Sequence, residues 1–198
     1  DLSGRRCLVV GGGGIAARQV AALAEAGAEV VVVAPEIGER IRRSGAAVVQ
    51  RKFEEADLDG VRLAIAATDD EDVNRAVSDA ARRRGVPCNV VDRPEMCDFI
   101  LPAVLRKGRL TVAVSTSGAS PAAARDIRDA IAANLPPGVA EHLDFLARAR
   151  ERLKAEIPDL RRRSAILERL VRPDVRETLL EHGLGAAEAL FENLLRTG

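Results

Sequence analysis

The chain has 198 residues, of which 47% are hydrophobic and 30% are charged, a composition typical of a folded globular protein. Its 30 Lys and Arg residues balance 30 Asp and Glu residues, and only 2% of the residues are aromatic, so a nucleic-acid partner is disfavoured. No stretch has the length and apolarity of a membrane span, and the start of the sequence does not resemble a secretory leader. We therefore expect a cytoplasmic protein that binds neither nucleic acid nor a membrane.

The cysteines and histidines show none of the paired spacings that are typical of metal sites. Cys7, Cys88 and Cys97 are odd in number, so they predict buried or free thiols and not a disulfide framework. His142 and His182 lie in charged stretches of predicted helices, which indicates surface positions. We expect no metal site.

The first two thirds of the chain alternate between apolar β-branched runs and helical patterns. The predicted elements are, in chain order, strand 6–10, helix 15–26, strand 29–33, helix 36–44, strand 47–51, strand 63–67, helix 71–84, strand 88–91 and strand 110–114. Strands separated by helices predict a parallel sheet, because parallel neighbours need a crossover connection. The expected fold class is therefore α/β, a Rossmann-like doubly wound parallel sheet.

The last third of the sequence predicts helices alone. Ser120 and Pro121 supply an N-cap oxygen and a first-turn proline for a helix that extends to about residue 134. Pro158, Pro173 and Gly183 then divide a leucine-rich segment into three or four short helices. This module is too small to bury its own apolar stripes, so we expect it to pack on a partner subunit or over the mouth of the sheet. The predicted division is a nucleotide-binding domain over 1–114, a dimerisation and linker segment over 115–140, and a helical domain over 141–198.

A glycine-rich turn stands between the first predicted strand and the first predicted helix. Residues 11–16 fit the pattern G-x-G-x-x-A, with Gly11 for the tight turn, Gly13 for close approach of a diphosphate and Ala16 for close helix packing. The helix N-terminus would point its free N–H groups at the phosphates. The pattern and its flanks predict dinucleotide binding, and the alternative is a glycine turn that serves packing alone.

An acidic residue follows the second predicted strand, where a ribose would lie. Glu36 stands twenty residues after Ala16, and its carboxylate can accept hydrogen bonds from the ribose diol, which favours NAD over NADP. Two observations leave the choice open. Glu36 can be the first-turn acid of the next helix, and the arginines at positions 40, 42 and 43 could attract a 2′-phosphate.

Two further strand ends carry polar groups at the same predicted edge. Thr68 and Asp69 follow the fourth strand, where they would touch the cofactor, although Asp69 or Asp70 can equally be the N-cap of the next helix. Asp92 follows the fifth strand. A carboxylate there can serve in proton transfer, but an Asp that leaves a strand is often only a turn residue.

A hydroxyl-rich loop over residues 115–121 leads into the predicted helix at Pro121. Its hydroxyls and backbone N–H groups can hold a carboxylate or phosphate, and an ordinary capped linker explains its composition equally well.

Five motifs in the same order resemble the precorrin-2 dehydrogenase family, the siroheme-pathway enzymes that also form the first part of the multifunctional siroheme synthases. The match extends from residue 1 to about residue 157, and the helices beyond it resemble the family only in outline. The motifs are Cys7-Leu8-Val9-Val10-Gly11-Gly12-Gly13, Leu63-Ala64-Ile65-Ala66-Ala67-Thr68-Asp69-Asp70, Cys88-Asn89-Val90-Val91-Asp92, Phe99-Ile100-Leu101-Pro102-Ala103 and Val112-Ala113-Val114-Ser115-Thr116-Ser117-Gly118-Ala119-Ser120-Pro121.

The resemblance implies an NAD-dependent oxidation of precorrin-2 to sirohydrochlorin by a homodimer. It implies that Asp92 is the catalytic residue and that the substrate carboxylates lie near Asn89, Ser117 and Ser120. The cofactor would contact Gly11, Gly13, Gly14, Ile15, Pro35, Glu36, Thr68 and Asp69. Thr116 occupies a position that is Ser in some fusion members of the family, where phosphorylation has been proposed, so we do not expect that control here.

Two alternatives accompany this prediction. The first is a bifunctional enzyme that also inserts ferrous iron into sirohydrochlorin, since a chelatase working through one carboxylate needs no fixed His or Cys cluster. The second is a non-catalytic module that senses NAD(H) and signals through its helical tail. A sensor would need neither Asp92 nor the hydroxyl loop, so their presence argues against it.

Overall fold

The computed structural model of the chain describes residues 1–197. The chain divides into two compact units, and the division falls between Leu101 and Pro102. No helix within residues 1–197 combines the length and apolarity needed to cross a membrane.

The first unit contains a five-stranded parallel sheet. Its strands lie in the order β3-β2-β1-β4-β5. They are β1 (Arg6–Val10), β2 (Glu29–Val33), β3 (Ala47–Val49), β4 (Leu63–Ala66) and β5 (Cys88–Val90). The strand order reverses between β1 and β4, and such a switch point leaves a crevice at the carboxyl edge of a sheet.

Helices cover both faces of this sheet, as expected for a doubly wound fold. They are α1 (Gly14–Glu25), the single turn α2 (Glu39–Arg42), α3 (Glu71–Arg83) and two 3-10 helices over Glu55–Leu58 and Pro94–Met96. Because strand side chains alternate, Val9 packs with Val20 of α1 on one face, and Leu8 packs with Val77 of α3 on the other. All four side chains are fully buried. The predicted α/β class with a Rossmann-like sheet is confirmed.

An ion pair with a buried carboxylate supports the connection between β3 and β4. Asp57 is 8% exposed, and its two carboxylate oxygens accept hydrogen bonds from the Arg51 guanidinium at 2.8 and 2.6 Å. The backbone N–H of Glu54 donates a third at 2.9 Å. The Arg51 hydrogen bonds are the main reason that the pKa of Asp57 lies below its ordinary value, and burial opposes them.

The second unit combines a hairpin with four helices. Strands β6 (Ala103–Lys107) and β7 (Leu110–Val114) are antiparallel, and the loop between them begins with Gly108 at a φ of 56°. The helices are α4 (Pro121–Ala133), α5 (Val139–Glu156), α6 (Leu160–Leu170) and α7 (Pro173–Thr197), which kinks at Gly183. Phe145, Leu153, Leu170 and Phe191 form the centre of its helical core.

Three features of the structure differ from the sequence-based predictions. Leu110–Val114 is a strand, but it pairs with β6 and lies outside the parallel sheet, so the first unit ends at Leu101 and not at residue 114. The polar helix predicted over 36–44 is the single turn Glu39–Arg42, because Gly38 is its N-cap.

The third difference concerns a histidine that was predicted to lie on the surface. His142 is only 5% exposed, and its Nε2 lies 2.8 Å from the carbonyl oxygen of Leu170. His182 is exposed, as predicted.

Candidate functional site

Four loops leave four adjacent strands at the carboxyl edge of the parallel sheet. They follow β2, β1, β4 and β5 in spatial order, and they contain the residues that the sequence motifs single out in the first unit. Backbone hydrogen bonds join neighbouring loops, from Gly38 N–H to the Gly12 carbonyl and from Ala67 N–H to the Val10 carbonyl. The candidate site is therefore one continuous edge and not a set of separate motifs.

The first two glycines of the turn after β1 are required by packing. Gly11 has a φ of 131°, and a Cβ there would overlap the carbonyl group of Ala67. A Cβ on Gly12 would overlap the carbonyl oxygen of Glu36. The turn is thus wedged between the ends of β4 and β2, and only glycine fits at these two positions.

The next two glycines border open space. A Cβ on Gly13 or Gly14 would meet nothing within 4 Å. Gly13 is the N-cap of α1, with no side-chain cap, and the first turn of α1 carries no acidic residue. The unpaired N–H groups at this helix start therefore keep their partial positive charge for an anion, and the space beside them suits the diphosphate of a dinucleotide. Ile15 stays 37% exposed beside this turn.

The segment after β2 presents Pro35 and Glu36 at the surface next to the glycine turn. No hydrogen bond or ion pair within the described residues occupies the Glu36 carboxylate. Of the three nearby arginines, Arg42 is engaged by the Ile37 carbonyl and by Gln50, and Arg43 is engaged by Glu39. These contacts leave Glu36 available to a ribose and leave Arg40 as the arginine without such a partner among the described residues.

The loop after β4 is fixed by a buried asparagine of α3. The side chain of Asn74, 6% exposed, donates to the Thr68 carbonyl at 2.9 Å and accepts from the Thr68 N–H at 3.3 Å. Asp70 is the N-cap of α3, since its carboxylate accepts from the N–H groups of Asp72 and Val73. Asp69 is exposed. The proposed cofactor contacts of Thr68 and Asp69 thus lie on a loop of fixed shape.

Asp92 lies in a tight turn directly after β5. The Arg93 N–H donates to the Val90 carbonyl at 3.2 Å, and Asp92 has a φ of 60°, in the left-handed region that few non-glycine residues adopt. Its side chain is exposed, with no hydrogen bond or ion pair within residues 1–197. The turn thus leaves the Asp92 carboxylate open to solvent at the carboxyl edge of the sheet.

Asn89, a predicted substrate contact, is buried in β5 and hydrogen-bonded inside the protein. It is 8% exposed, and its side-chain amide donates to the Phe99 carbonyl at 2.8 Å and to the Cys97 Sγ at 3.4 Å. Both of its N–H groups are therefore used inside the protein, in holding the segment that follows β5.

Ser117 and Ser120 belong to the second unit. Ser117 is exposed and has a φ of 53°. Ser120 is the N-cap of α4, where its Oγ accepts from the Ala123 N–H at 3.1 Å, as the sequence predicted. Thr116 closes the loop, since its Oγ1 accepts from the Ser120 N–H at 3.0 Å. Ser117 therefore lies exposed on the loop, whereas the Ser120 oxygen caps α4.

Sequence reasoning missed five residues that shape this edge. Gly12 is visible only as one of four consecutive glycines, and its steric role depends on the approach of the Glu36 carbonyl. Asn74 and Cys97 act through side-chain contacts with residues six and seven positions away across a loop, and Arg93 pairs with Glu71 of another element. No local pattern signals such contacts.

Three family profiles together match nearly the whole chain. Residues 1–103 match a family described as "Putative NAD(P)-binding". Residues 107–134 match "Sirohaem biosynthesis protein central", and residues 142–195 match "Sirohaem synthase dimerisation region".

Similar proteins also include enzymes named for siroheme synthesis. The chain is 40% identical over 202 residues to a siroheme synthase of Pseudomonas paraeruginosa, and 42% identical over 196 residues to one of Azotobacter vinelandii. These alignments cover 100% and 97% of this chain but only 43% and 42% of the relatives, so the chain spans less than half of their length. Among solved structures, "SirC, precorrin-2 dehydrogenase" has a TM-score of 0.79 and 26% identity, with 99% of this chain and 96% of that chain covered.

Proposed function

The chain belongs to the family of precorrin-2 dehydrogenases and siroheme synthase N-terminal regions, and we propose that it oxidises precorrin-2 to sirohydrochlorin with NAD. The observation that carries this proposal is the position of Asp92. Its exposed, unpaired carboxylate follows β5, on the same sheet edge as the open glycine turn after β1. A dinucleotide at the turn and a proton acceptor at that edge are what a dehydrogenation requires.

The residues around the glycine turn fit NAD. Gly13, Gly14 and the first N–H groups of α1 would hold the diphosphate, and the Glu36 carboxylate would accept hydrogen bonds from the adenosine ribose. The same edge supplies the remaining contacts of the cofactor, which we assign to Gly11, Ile15, Pro35, Thr68 and Asp69. When bound, NAD supplies the hydride acceptor of the reaction.

Asp92 supplies the base of the reaction. Dehydrogenation removes a hydride and a proton from the substrate, and the Asp92 carboxylate accepts that proton as the hydride leaves. The carboxylate has no partner within residues 1–197, so no protein hydrogen bond has to be broken for it to act. The proton then passes to solvent, to which Asp92 is open.

The hydroxyl loop of the second unit is the proposed anchor for substrate carboxylates. Ser117 presents its hydroxyl outward, and Ser120 stands at the N-terminus of α4, where the helix dipole favours negative charge. Direct contact between the substrate and Asn89 is not part of this proposal, since the Asn89 amide is engaged by Phe99 and Cys97.

We propose that the active form is a homodimer assembled through the second unit. The dimerisation-region profile matches residues 142–195, and this unit leaves several large apolar side chains open to solvent. Between 37% and 68% of each remains exposed in Val104, Ile127, Leu160, Val171, Leu180 and Leu184. The use of NAD and the bacterial relatives make the cytoplasm the proposed location.

An anaerobic assay tests the proposed activity. The purified chain is mixed with precorrin-2 and NAD, and absorbance follows the formation of NADH and sirohydrochlorin. The proposal expects the two products in equal amounts. Absence of NADH with authentic precorrin-2, when the related dehydrogenase turns over in the same assay, would reject it.

A second candidate adds iron insertion to the same site. The relatives named siroheme synthase and the unpaired carboxylate of Asp92 favour it, because metal insertion releases two protons that a carboxylate can accept. Ferrous ion added after complete oxidation distinguishes the candidates. A chelatase converts sirohydrochlorin to siroheme faster than the protein-free control, whereas a dehydrogenase alone leaves the control rate unchanged.

A further inference from the structure

The outer edge of β5 is covered by residues 97 and 98 of the following segment and not by another strand. β5 is the last strand of the sheet, so its outward N–H and C=O groups have no strand partner. The Cys88 N–H donates to the Asp98 carboxylate at 2.9 Å, and the Cys88 carbonyl accepts from the Asp98 N–H at 2.8 Å. One residue earlier in the chain, Cys97 occupies the corresponding place beside Val90.

The Cys97 thiol fills the inside of the turn that carries Asp92. Its Sγ accepts from the Val90 N–H at 3.2 Å and lies 3.2 Å from both the Val90 and the Arg93 carbonyl oxygens. These backbone groups belong to Val90 and Arg93, the first and last residues of the four-residue turn 90–93. Burial raises the pKa of the Cys97 thiol, so its proton is retained for donation to a carbonyl.

A second contact, on the outer side of the same turn, contributes less to holding its shape. Arg93 forms an ion pair with Glu71 in the first turn of α3. The two side chains are 45% and 63% exposed, and ion pairs at such exposure have small effects because solvent and salt screen them. The half-buried thiol is therefore the stronger determinant of the shape of the turn.

We propose that Cys97 is a positioning residue for Asp92, because its thiol links both ends of the turn and so holds the Asp92 carboxylate at the carboxyl edge. The inference rests on the proposed role of Asp92 as the proton acceptor. Asp92 has left-handed backbone, which few non-glycine residues adopt, so contacts at both ends of the turn help to maintain it. The thiol supplies such contacts at both ends of the turn.

A double-mutant cycle in the precorrin-2 assay tests this role. Cys97→Ala removes the donor and the acceptor, so kcat should fall roughly 10- to 100-fold, the usual effect of misplacing a reacting group, while the KM for NAD stays unchanged. In the Asp92→Asn background the same substitution should change kcat by less than about twofold, because the displaced base is already absent. Cys97→Ser, which keeps a donor and an acceptor, should retain most of the wild-type kcat.

Two controls separate positioning from stability. Cys7→Ala removes a buried thiol from β1 and should lower the melting temperature without changing kcat. Cys97→Val fills the space of the thiol without its hydrogen bonds, and it replaces Cys97→Ala if the latter does not fold. An equal loss of kcat from the Cys97 substitution in the wild-type and Asp92→Asn backgrounds would overturn the proposal, as would an unchanged kcat in the wild-type background.

A crystal structure of the Cys97→Ala or Cys97→Val protein keeps the inference testable if precorrin-2 is not the substrate. The proposal expects Asp92 to leave the left-handed region and its carboxylate to shift. An Asp92 that keeps its φ and its carboxylate position in the absence of the thiol would contradict the inference whatever the reaction is. Failure of the wild-type protein to oxidise precorrin-2 contradicts the proposed function alone.

Discussion

At the residue scale, Gly13 offers the sharpest test of the cofactor site. A valine at Gly13 meets no atom of the protein within 4 Å of its Cβ and suits the extended backbone there, so the fold should survive. The side chain would, however, occupy the space beside the α1 N-terminus. We expect Gly13→Val to abolish NAD binding in calorimetry while the circular dichroism spectrum stays unchanged.

Two further glycine substitutions serve as controls for this test. Gly12→Val should destabilise the protein, because its Cβ overlaps the Glu36 carbonyl. Gly185→Val, at another open glycine in the second unit, should change neither the fold nor the NAD affinity. An unchanged NAD affinity in Gly13→Val would remove the cofactor site from this turn.

Glu36 predicts which dinucleotide binds. Its carboxylate is free to accept hydrogen bonds from a ribose diol and would repel a 2′-phosphate. We expect NAD to bind more tightly than NADP by about 1.5–3 kcal/mol, the contribution of one charged hydrogen bond. Calorimetry with both cofactors measures the difference, and Glu36→Gln should reduce it. Glu39→Gln is the control, since Glu39 is paired with Arg43. Equal affinities in the wild-type protein would leave Glu36 without a role in selection.

At the element scale, the sequence predicts the parallel sheet well because its signals are local. Apolar runs such as Glu29–Val33 and the glycine turn mark their elements within a few residues. The hairpin was predicted only in part, because the pattern indicates a strand at Leu110–Val114 but not its antiparallel partner Ala103–Lys107. The burial of His142 depends on Leu170, which lies on another helix, so no local pattern could reveal it.

The site was predictable to a similar degree. Its loops follow from the rule that strand ends meet at one edge, so the region of Glu36, Thr68 and Asp92 could be found from sequence. The side-chain contacts could not. The sequence places Asn89 near this edge as a polar residue. Only the fold shows that its side-chain amide donates hydrogen bonds to the Phe99 carbonyl and the Cys97 Sγ.

The Arg51–Asp57 pair predicts how stability depends on pH. The folded pKa of Asp57 is lowered, chiefly by the Arg51 hydrogen bonds, so the pair stabilises the protein above the unfolded pKa of about 3.9. This contribution is lost as the pH falls through the lowered folded pKa. Asp57→Asn should therefore reduce the free energy of unfolding by about 1–3 kcal/mol at neutral pH, and by less below about pH 4.

Urea denaturation at both pH values measures this effect. Asp79→Asn is the control, because Asp79 is half-exposed and its ion pair with Arg82 is long, at 3.7 Å. Asp79→Asn should leave the free energy of unfolding unchanged at either pH. If Asp57→Asn lowered the free energy of unfolding equally at both pH values, the shape of the Asp57 side chain and not its charge would explain its role.

At the scale of the whole molecule, the second unit predicts self-association. Six of its large apolar side chains are at least 37% exposed, and residues 142–195 match a family described as a sirohaem synthase dimerisation region. Light scattering at micromolar concentration should give twice the chain mass. A monomeric mass at these concentrations would contradict the proposed homodimer and would leave the cofactor site untouched.

The measurement that tests the central claim most directly is the turnover of Asp92→Asn with saturating NAD and precorrin-2. Asparagine keeps the shape of the side chain and tolerates the left-handed backbone of this turn, but it lacks the basic oxygen. The account predicts unchanged NAD affinity and a kcat lowered by roughly 10²- to 10⁴-fold, the usual contribution of general acid–base catalysis. A kcat near that of the wild-type protein, with NAD bound normally, would contradict the assignment of Asp92 as the proton acceptor.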